Sequence, residues 1–367
     1  MCRKIARWES ALSQPLILGA GPAGCVAAIR LAHAGAKPLL IDRDKVVGDA
    51  ICGGFLSWRS AEQLRMAGFD LAGSTAHHVT RLSLYAGRYE AHAELPETGF
   101  GLSRHALDTA LRERAVEAGA SLEIDRIRLV STGFAQGDRQ DWQAKHIMLA
   151  SGKHDVRGQS RPRQSDDPAL GLRIRVPGSA GLHRLIDGRI ELHFFQGGYA
   201  GIVRQESGSA NICLALRKSL LVKGGGKPRA LLDMLAETHP HFGARMAFAG
   251  PDLPIDTIAN VPYGWIARDT PYGLYRLGDQ AAVIPSLAGE GMSIAIASGM
   301  YAADAVLANM DARTYQRQFA RMARRPVGVA KAIWRIAESK HGGTAITQLA
   351  RLIPPTANLA MRASRIG

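Results

Sequence analysis

Cysteine is scarce in this chain of 367 residues, with four in all, at positions 2, 25, 52 and 213. None forms a CxxC pair, and none lies with histidines at the spacing of a zinc site. These absences exclude a disulfide framework and predict that the protein holds no metal. Cysteine usage of this kind is typical of a reducing compartment, so we expect a cytoplasmic protein.

The chain also lacks a long uninterrupted apolar run. Its least charged stretch, roughly residues 280 to 300, is broken by glycines, Pro285 and Glu290, which argues against a membrane-spanning helix there. The first residues, MCRKIARWESALSQ, are basic but have no apolar core, so no secretory signal is predicted. We expect a protein of the cytoplasm that is at most attached to the inner membrane face.

Acidic residues are outnumbered, and the formal net charge is +14. From Asp311 to the end, eleven Lys or Arg face two acids. No helix-turn-helix, RNA-binding signature or zinc finger accompanies this basic tail, so we expect no nucleic-acid partner. A solvated helix face is the preferred explanation, and peripheral contact with an anionic membrane is the alternative. The membrane alternative rests on seven residues of the tail: Arg313, Arg317, Arg321, Arg324, Ile333, Trp334 and Ile336.

The segment from Pro15 to Asp44 has the pattern of an apolar strand, a glycine turn, an amphipathic helix and a second apolar strand. The turn GAGPAG matches GxGxxG, whose glycines permit a tight turn, close approach to a pyrophosphate and tight helix packing. Asp42, at the end of the second strand, can accept both hydroxyls of an adenosine ribose. This βαβ unit predicts a dinucleotide site with the following contacts: Gly19, Gly21, Pro22, Ala23, Gly24, Asp42 and Arg43.

A second polar cradle follows a strand near residue 275. An acid after a strand can hold a ribityl hydroxyl, and a glycine turn at a helix start can present amides to the flavin ring, where negative charge develops on reduction. Two cradles so far apart in the chain imply a long, extended cofactor, which FAD is. The second cradle supplies these candidate contacts: Gly278, Asp279, Pro285, Gly289, Gly291 and Met292.

Further motifs occur in a characteristic order: GAGPAG at 19–24, Asp42-Arg43, Cys52-Gly53-Gly54, SRHALDTAL with Arg104 and Asp108, ASGKHDVRG at 150–158, and LGDQAAVIPSLAGEGM at 277–292. This set resembles the superfamily of FAD-dependent monooxygenases and geranylgeranyl reductases, which shares the fold of p-hydroxybenzoate hydroxylase. The resemblance implies that Cys52 and Gly53 lie at the cofactor, that Arg104 contacts the FAD diphosphate or ribityl region, and that Asp279 contacts the ribityl chain.

Departures from the family pattern narrow the choice of reaction. Aromatic hydroxylases commonly carry Asp-Gly where this chain has Ser151-Gly152, which leaves the reductant open between NAD(P)H and a reduced electron-transfer partner. The WxWxIP motif of flavin-dependent halogenases is missing, which disfavours halogenation. Tyr199 matches the tyrosine of a YxWxFP-like signature of geranylgeranyl reductases, without its Trp and Pro. Cys52-Gly53-Gly54 favours the geranylgeranyl reductase-like branch.

We expect an α/β protein with a Rossmann-like FAD-binding domain, an inserted antiparallel β-sheet substrate domain and a C-terminal helical segment. The FAD-binding domain is discontinuous and comprises residues 1–75, 100–160 and 265–310. The substrate domain comprises residues 76–99 and 161–264, with a hairpin at Glu206–Ser209. Residues 311–367 form a basic helical region, broken at Pro326 and at Pro354-Pro355.

The predicted function is an FAD-dependent oxidoreductase acting on a hydrophobic small molecule of isoprenoid or polyketide type. Double-bond reduction is slightly favoured; hydroxylation by an NAD(P)H-dependent monooxygenase is the alternative, and a flavin-binding protein without turnover is a minor one. Cys52 and Tyr199 are candidate catalytic residues. The histidines 154 and 193 are proton-transfer candidates by residue type only, and a structural role is preferred for both. The sequence does not indicate an oligomeric state.

Overall fold

The computed structural model describes residues 14–162 and 165–366. The N-terminal segment considered above, with Cys2, lies outside the described residues. The strands are, in chain order, β1 (Leu16–Leu18), β2 (Leu39–Asp42), β3 (Phe55–Leu56), β4 (His77–Ala86), β5 (Tyr89–Gly101), β6 (Ser121–Ile124), β7 (Ile127–Ser131), β8 (Phe134–Gly137), β9 (Asp141–Gln143), β10 (Ile147–Leu149), β11 (Ala169–Val176), β12 (Arg189–Phe195), β13 (Gly198–Arg204), β14 (Ala210–Arg217), β15 (Asp256–Val261) and β16 (Leu274–Arg276). The helices are α1 (Pro22–His33), α2 (Trp58–Met66), α3 (Arg104–Glu117), α4 (Ala180–Ile186), α5 (Lys218–Lys223), α6 (Pro228–Thr238), α7 (Pro240–Met246), α8 (Gly291–Leu307), α9 (Ala312–Ala337), α10 (Gly342–Leu352) and α11 (Pro355–Ala363).

The first sheet is parallel, with the strand order β16-β10-β1-β2-β6. Its central strands are short and apolar because both of their faces are covered: Ile17 and Met148 pack against helices α1 and α8, and the opposite face packs against the small sheet described next. β1, α1 and β2 form the predicted βαβ unit, so the expected Rossmann-like fold is confirmed. A small antiparallel sheet, β7-β8-β9, packs on the face of the parallel sheet opposite α1.

Two glycines let helices approach the glycine turn closely. A Cβ on Gly24 of α1 would lie 2.0 Å from the carbonyl oxygen of Gly19, and a Cβ on Gly299 of α8 would lie 2.3 Å from that of Ala23. Both contacts are with backbone atoms, which a side chain could not displace without moving the turn. α8 is therefore packed directly onto the start of α1, which brings the two ends of the cofactor motif set together.

The second sheet has eight strands in the order β15-β11-β14-β13-β12-β4-β5-β3. The hairpin predicted at Glu206–Ser209 is confirmed between β13 and β14. The predicted antiparallel pairing is confirmed for β11–β14, β12–β13 and β13–β14, and one further pair, β4 and β12, runs parallel. β4 comes from the insert at 76–99 and so enters the sheet from an earlier part of the chain. β3, from the predicted cofactor part, also pairs into this sheet, and the domain boundaries stay a prediction.

Alternate residues of β13 point to different surroundings. Ala200 and Ile202 belong to an apolar cluster with side chains of helices α4 to α7. Tyr199 and Gly201, from the other face, line a cleft towards the parallel sheet. The period of two along the strand thus separates a closed core from a ligand cleft.

The C-terminal region is helical, as predicted, and breaks at Pro354-Pro355. The break predicted at Pro326 is wrong, since α9 runs through it from Ala312 to Ala337. A proline inside a helix costs roughly 3 kcal/mol. Here the proline ring is buried in a continuous apolar stripe that includes Phe319 and Val327, and packing of this stripe offsets the lost hydrogen bond. None of the helices in the described part of the chain is long and apolar enough to cross a membrane.

Candidate active site

A cleft of about 1580 Å³, including its open mouth, lies between the two large sheets. Twelve of the residues predicted from sequence line it: Gly21, Pro22, Ala23, Cys52, Gly53, Arg104, Tyr199, Gly278, Asp279, Gly289, Gly291 and Met292. The other five lie outside the lining: Gly19, Gly24, Asp42, Arg43 and Pro285.

The glycine turn is shaped to present backbone amides. Gly19 has a φ of +114°, and a Cβ there would lie 2.4 Å from the carbonyl oxygen of Ala150. Gly21 caps the start of α1 without a side-chain acceptor for the first-turn N–H groups. These amides and the positive end of the helix dipole are a fitting site for a diphosphate. The turn therefore has the tight backbone geometry expected of it, and the diphosphate contact stays a prediction.

Asp42 has partners that the sequence did not reveal. Its Oδ2 accepts a hydrogen bond from the Ala20 amide at 2.7 Å, and its Oδ1 lies 3.2 Å from the guanidinium of Arg112. The carboxylate is thus fixed against the glycine turn, with lone pairs left for a ribose. Arg43 is 44% exposed and pairs with Asp44 at 2.8 Å. Of the two neighbours, Asp42 is the one that the fold holds in place.

Arg104 begins α3 and faces the glycine turn. Its guanidinium donates to Asp108 in a bidentate pair at 2.8 and 2.6 Å, one helical turn further on. One of its nitrogens would lie 3.4 Å from a Cβ on Gly21. Burial opposes the charge on Arg104, but the Asp108 carboxylate outweighs burial and raises the pKa of the guanidinium. A fixed positive charge therefore stands beside the predicted diphosphate site.

The second cradle follows β16, two strands away from β1 in the parallel sheet, and faces the same cleft. Gly278 has a φ of +58°, and its amide donates to Ser298 Oγ at 2.7 Å, which fixes the short turn that carries Asp279. The Asp279 carboxylate lies 3.5 Å from Lys153 Nζ. Sequence reasoning missed Lys153, although it stands in the ASGKHDVRG motif.

A flavin ring would require open space between the cradles. A Cβ added to Gly53 or to Gly291 would meet no atom within 4 Å, so both glycines face the open cleft. Gly291 starts α8, and Glu290 before it provides no side-chain cap, so first-turn amides of α8 point into the cleft. Both the amides and the space fit an FAD that extends from the glycine turn to α8.

The loop with Cys52 is tied to the second sheet. Asn211 Nδ2 of β14 donates to the carbonyl oxygens of Cys52 at 3.0 Å and of Gly53 at 2.8 Å. Cys213, two residues further along β14, also lines the cleft. Burial raises the pKa of the Cys213 thiol to about 12, so this thiol stays protonated at neutral pH. No motif singled out Cys213 in the sequence.

Three hydroxyl groups form a connected cluster in the cleft wall, which we call the hydroxyl cluster: Tyr199, Tyr263 and Ser286. Tyr199 Oη donates to Ser286 Oγ at 2.6 Å, and Tyr263 Oη lies 2.9 Å from the same oxygen. Burial raises the pKa of both tyrosines above the ordinary value of 10. The phenols therefore keep their protons at neutral pH and can act as hydrogen-bond or proton donors.

The rest of the wall is apolar. Aliphatic side chains from strands of the second sheet face the cleft, and Phe55 and Met361 add to them. Such a surface favours an oily ligand over a charged one. The aliphatic residues of the wall include Leu82, Leu95, Ile190, Leu192, Ile258 and Val261 of the second sheet.

The two histidines do not line this cleft. His193 lies on the opposite face of the second sheet, 3.0 Å from Glu191 and stacked on Tyr85 with ring centroids 4.7 Å apart. Burial lowers the pKa of its imidazole, and its place in the core indicates a structural role. His154 is exposed beside the Ser151 turn. Neither is placed to exchange a proton with a ligand in the cleft.

The C-terminal tail reaches into the cleft, which the sequence did not indicate. Arg365 lines the cleft, forms an ion pair with the fully buried Glu290, and lies over the Trp58 ring at 4.2 Å. Burial raises the pKa of Glu290, although Arg365 acts against this shift. The tail is therefore part of the site, and Trp334, proposed above for membrane contact, is instead buried against Tyr263.

Comparison with known proteins agrees with this geometry. Residues 13–156 match the family described as FAD binding domain. Digeranylgeranylglycerophospholipid reductase 2 of Methanopyrus kandleri is 27% identical over 79% of this chain and 75% of its own length. Menaquinone reductase of Mycobacterium tuberculosis is 24% identical over 96% of this chain and 88% of its own.

Solved structures show the same fold. The flavin-dependent brominase Bmp2 superposes with a TM-score of 0.74 at 15% identity, covering 96% of this chain and 93% of its own. A geranylgeranyl bacteriochlorophyll reductase-like protein from Thermoplasma acidophilum gives a TM-score of 0.67 at 19% identity, covering 95% and 98%. The motifs, the fold and the relatives agree: this chain is an FAD-dependent oxidoreductase that carries an FAD binding domain at residues 13–156 and is similar to FAD-dependent monooxygenases and geranylgeranyl reductases.

Proposed function

We propose that this protein reduces a carbon–carbon double bond of a hydrophobic, isoprenoid-type molecule. The observation that carries the proposal is the pairing, in one cleft, of an apolar wall with a connected cluster of protonated hydroxyls. Double-bond reduction needs a hydride and a proton at adjacent carbons, and FAD supplies the hydride when it is bound and reduced. The chain itself has to hold the substrate and deliver the proton.

The glycine turn would hold the diphosphate, with Asp42 at the adenosine ribose, Arg104 beside the phosphates and Asp279 at the ribityl chain. The amides at the start of α8 would face the ring edge on which negative charge develops. Lys153 next to Asp279 adds a positive charge in the same area. This arrangement uses backbone groups and fixed charges, and so requires little rearrangement on binding.

The hydroxyl cluster is the best-placed proton source. Tyr199 donates to Ser286, and Ser286 in turn lies within hydrogen-bond distance of Tyr263, so a proton lost from one phenol can be restored along the cluster. Cys52 is the alternative donor, since its thiol stands in the same cleft. The two sources differ in position, because Cys52 belongs to the loop before β3 and Tyr199 to β13.

The apolar wall and the relatives support the proposed substrate class. Digeranylgeranylglycerophospholipid reductases and menaquinone reductases are named for molecules with isoprenoid chains. An isoprenoid chain would bury its methyl and methylene groups against the aliphatic wall at roughly 0.8 kcal/mol per CH₂ group. The reductant is NAD(P)H or a reduced electron-transfer partner, and the Ser151-Gly152 turn does not favour one over the other.

The experiment compares product masses. FAD-loaded protein is reduced with dithionite without oxygen and mixed with geranylgeranyl lipids, prenylated quinones or aromatic polyketides; a second arm admits oxygen and a third replaces dithionite with NADH or NADPH. A gain of two hydrogens without oxygen supports the proposal. A gain of one oxygen, only in the aerobic arm, would establish the hydroxylase alternative. Reduced flavin that no candidate substrate reoxidises would favour a binding protein.

A further inference from the structure

An apolar surface lies on the outside of the two C-terminal helices. On α10, Ala345, Leu349 and Leu352 are exposed at spacings of four and three residues, which places them on one helical face. The stripe continues through Ile353 in the turn to Leu359 of α11. The exposed fractions are 49% for Leu349, 77% for Leu352, 51% for Ile353 and 69% for Leu359. We call these five residues the α10–α11 surface.

The opposite face of α10 is already occupied. Gly342, Gly343, Thr347 and Ala350 are buried, and a Cβ on Gly343 would lie 2.4 Å from Cβ of Phe194 in β12. α10 is thus held against the second sheet by its small residues. A rotation that buried Leu349 and Leu352 would put large side chains where only glycine fits. The apolar stripe is therefore fixed outwards, and clustered exposed apolar groups of this kind mark interaction sites.

The charge around this surface has one sign. Between Ser339 and Ile366 the chain has no Asp or Glu. Lys340, Arg351 and Arg362 are all exposed there. Leucine and isoleucine on one face with Lys and Arg at the flanks is the composition of segments that rest at an anionic membrane interface.

The surface is connected to the cleft through α11. This helix carries Leu359 on its outer side, while Met361 lines the cleft and Ala357 is buried. Arg365, just after the helix, also lines the cleft. A single short helix therefore separates the apolar exterior from the apolar interior.

We propose that the α10–α11 surface docks on an anionic lipid bilayer and that the oily substrate passes from the bilayer into the cleft at α11. The transfer of substrate rests on the proposed function, whereas binding to the bilayer can be measured without any reaction. The arginine stripe considered from sequence, from Arg313 to Arg324, lies in the first half of α9 and is a separate, solvated face.

The test is co-sedimentation of FAD-loaded protein with vesicles of phosphatidylcholine alone or with about a third phosphatidylglycerol. We compare the native chain, L352D/L359D, the matched control M66D/V222D on exposed apolar residues elsewhere, and R317E/R321E on the α9 stripe. Bound FAD and melting temperature verify that each variant is folded. Native protein, M66D/V222D and R317E/R321E should bind the anionic vesicles, and L352D/L359D should bind at least tenfold more weakly.

Three results would overturn the docking proposal: no binding of native protein to anionic vesicles at low salt, equal binding of L352D/L359D, or loss of binding in R317E/R321E alone. The oligomeric state, measured by analytical ultracentrifugation without lipid, supplies a fourth. If the native chain is a dimer that L352D/L359D converts to monomer, the surface is covered by a second copy. Because vesicle binding is measured without substrate, a failure of the reductase proposal leaves this test unaffected.

Discussion

The two sides of the cleft, the cofactor side and the substrate side, are built from different chemical groups. The cofactor side consists mainly of backbone: glycine turns, helix starts and amides, with Asp42, Arg104 and Asp279 as fixed charges. The substrate side consists of side chains from segments far apart in sequence, such as Tyr199 of β13 and Ser286 of the turn before α8. Backbone geometry tolerates almost no change, whereas a side-chain wall can be altered one group at a time. A single substitution on the cofactor side should therefore abolish FAD binding, whereas one on the substrate side should only lower the reaction rate.

The largest effect is expected at the glycine turn. Gly24→Val places a branched side chain where even a Cβ would lie 2.0 Å from the Gly19 carbonyl oxygen. Because that oxygen belongs to the diphosphate turn, we expect purified protein without FAD. FAD released on denaturation measures this, and Gly48→Ala, where a Cβ meets no atom within 4 Å, is the control. If Gly24→Val kept the native FAD content, the claim that the cofactor side tolerates less change than the substrate side would be contradicted.

The next largest effect is a loss of stability, expected when the ion pair between Arg365 of the C-terminal tail and Glu290 is broken. Arg365→Met leaves the buried Glu290 carboxylate without its ion partner, and breaking a buried pair costs about 3–5 kcal/mol. The pKa of Glu290 is already raised by burial and rises further in the variant, so the folded state loses stability as pH rises through that value.

The variant should therefore be more destabilised at pH 8 than at pH 5. Urea unfolding at the two pH values measures the difference, and Arg362→Met, on the exposed side of the same segment, is the matched control. Equal losses at both pH values would mean that the Glu290 carboxylate does not depend on Arg365.

A smaller loss is expected at Asp42. Asp42→Ala removes the carboxylate that holds the Ala20 amide and pairs with Arg112, together with the predicted ribose contact. Losing a charged hydrogen-bond partner costs roughly 1.5–3 kcal/mol, or about tenfold to a hundredfold in FAD affinity. FAD titration into apoprotein measures it. Asp44→Ala, at an exposed position next to it, should bind FAD like the native chain, and an unchanged affinity for Asp42→Ala would show that this acid does not serve the ribose.

The smallest effect is expected on the substrate side, in the rate at which Cys52→Ser is reoxidised by substrate. Cys52→Ser should keep FAD and slow reoxidation of the reduced flavin by substrate about tenfold or less if the thiol delivers a proton, since a hydroxyl is a much weaker acid. Cys213→Ser, on the facing strand, is the matched variant. Equal rates for the native chain and Cys52→Ser would make Cys52 a packing residue.

The cofactor side could be proposed from the sequence because its signals are local, and its individual contacts stay a prediction. The GxGxxG turn, Asp42 and the turn before α8 each lie within a few residues and carry glycines that the backbone geometry requires. The sequence missed Arg112, Lys153, Tyr263 and Ser286 as site residues because each enters the site through contacts between distant segments; the contact of Tyr199 with Ser286, for example, spans 87 positions.

Other differences have the same cause. The predicted break at Pro326 follows from a local rule, and tertiary packing of α9 overrides it. Trp334 is a residue type that membrane interfaces favour, but Tyr263 and Arg217, from elsewhere in the chain, pack against it and bury it. The role of the tail in closing the cleft depends on the contact of Arg365 with Glu290, which no pattern in the tail encodes.

The measurement that tests the central claim most directly is the anaerobic rate at which substrate reoxidises the reduced, FAD-loaded protein, in the native chain and in Tyr199→Phe. Tyr272→Phe, at a tyrosine that is 64% exposed, is the control. If the hydroxyl cluster delivers the proton, Tyr199→Phe should keep its FAD and react about a hundredfold more slowly. The native rate should stay level from pH 6 to 9, because burial keeps the Tyr199 pKa well above 10. A Tyr199→Phe variant as fast as the native chain, or a product that carries oxygen rather than two added hydrogens, would contradict the account.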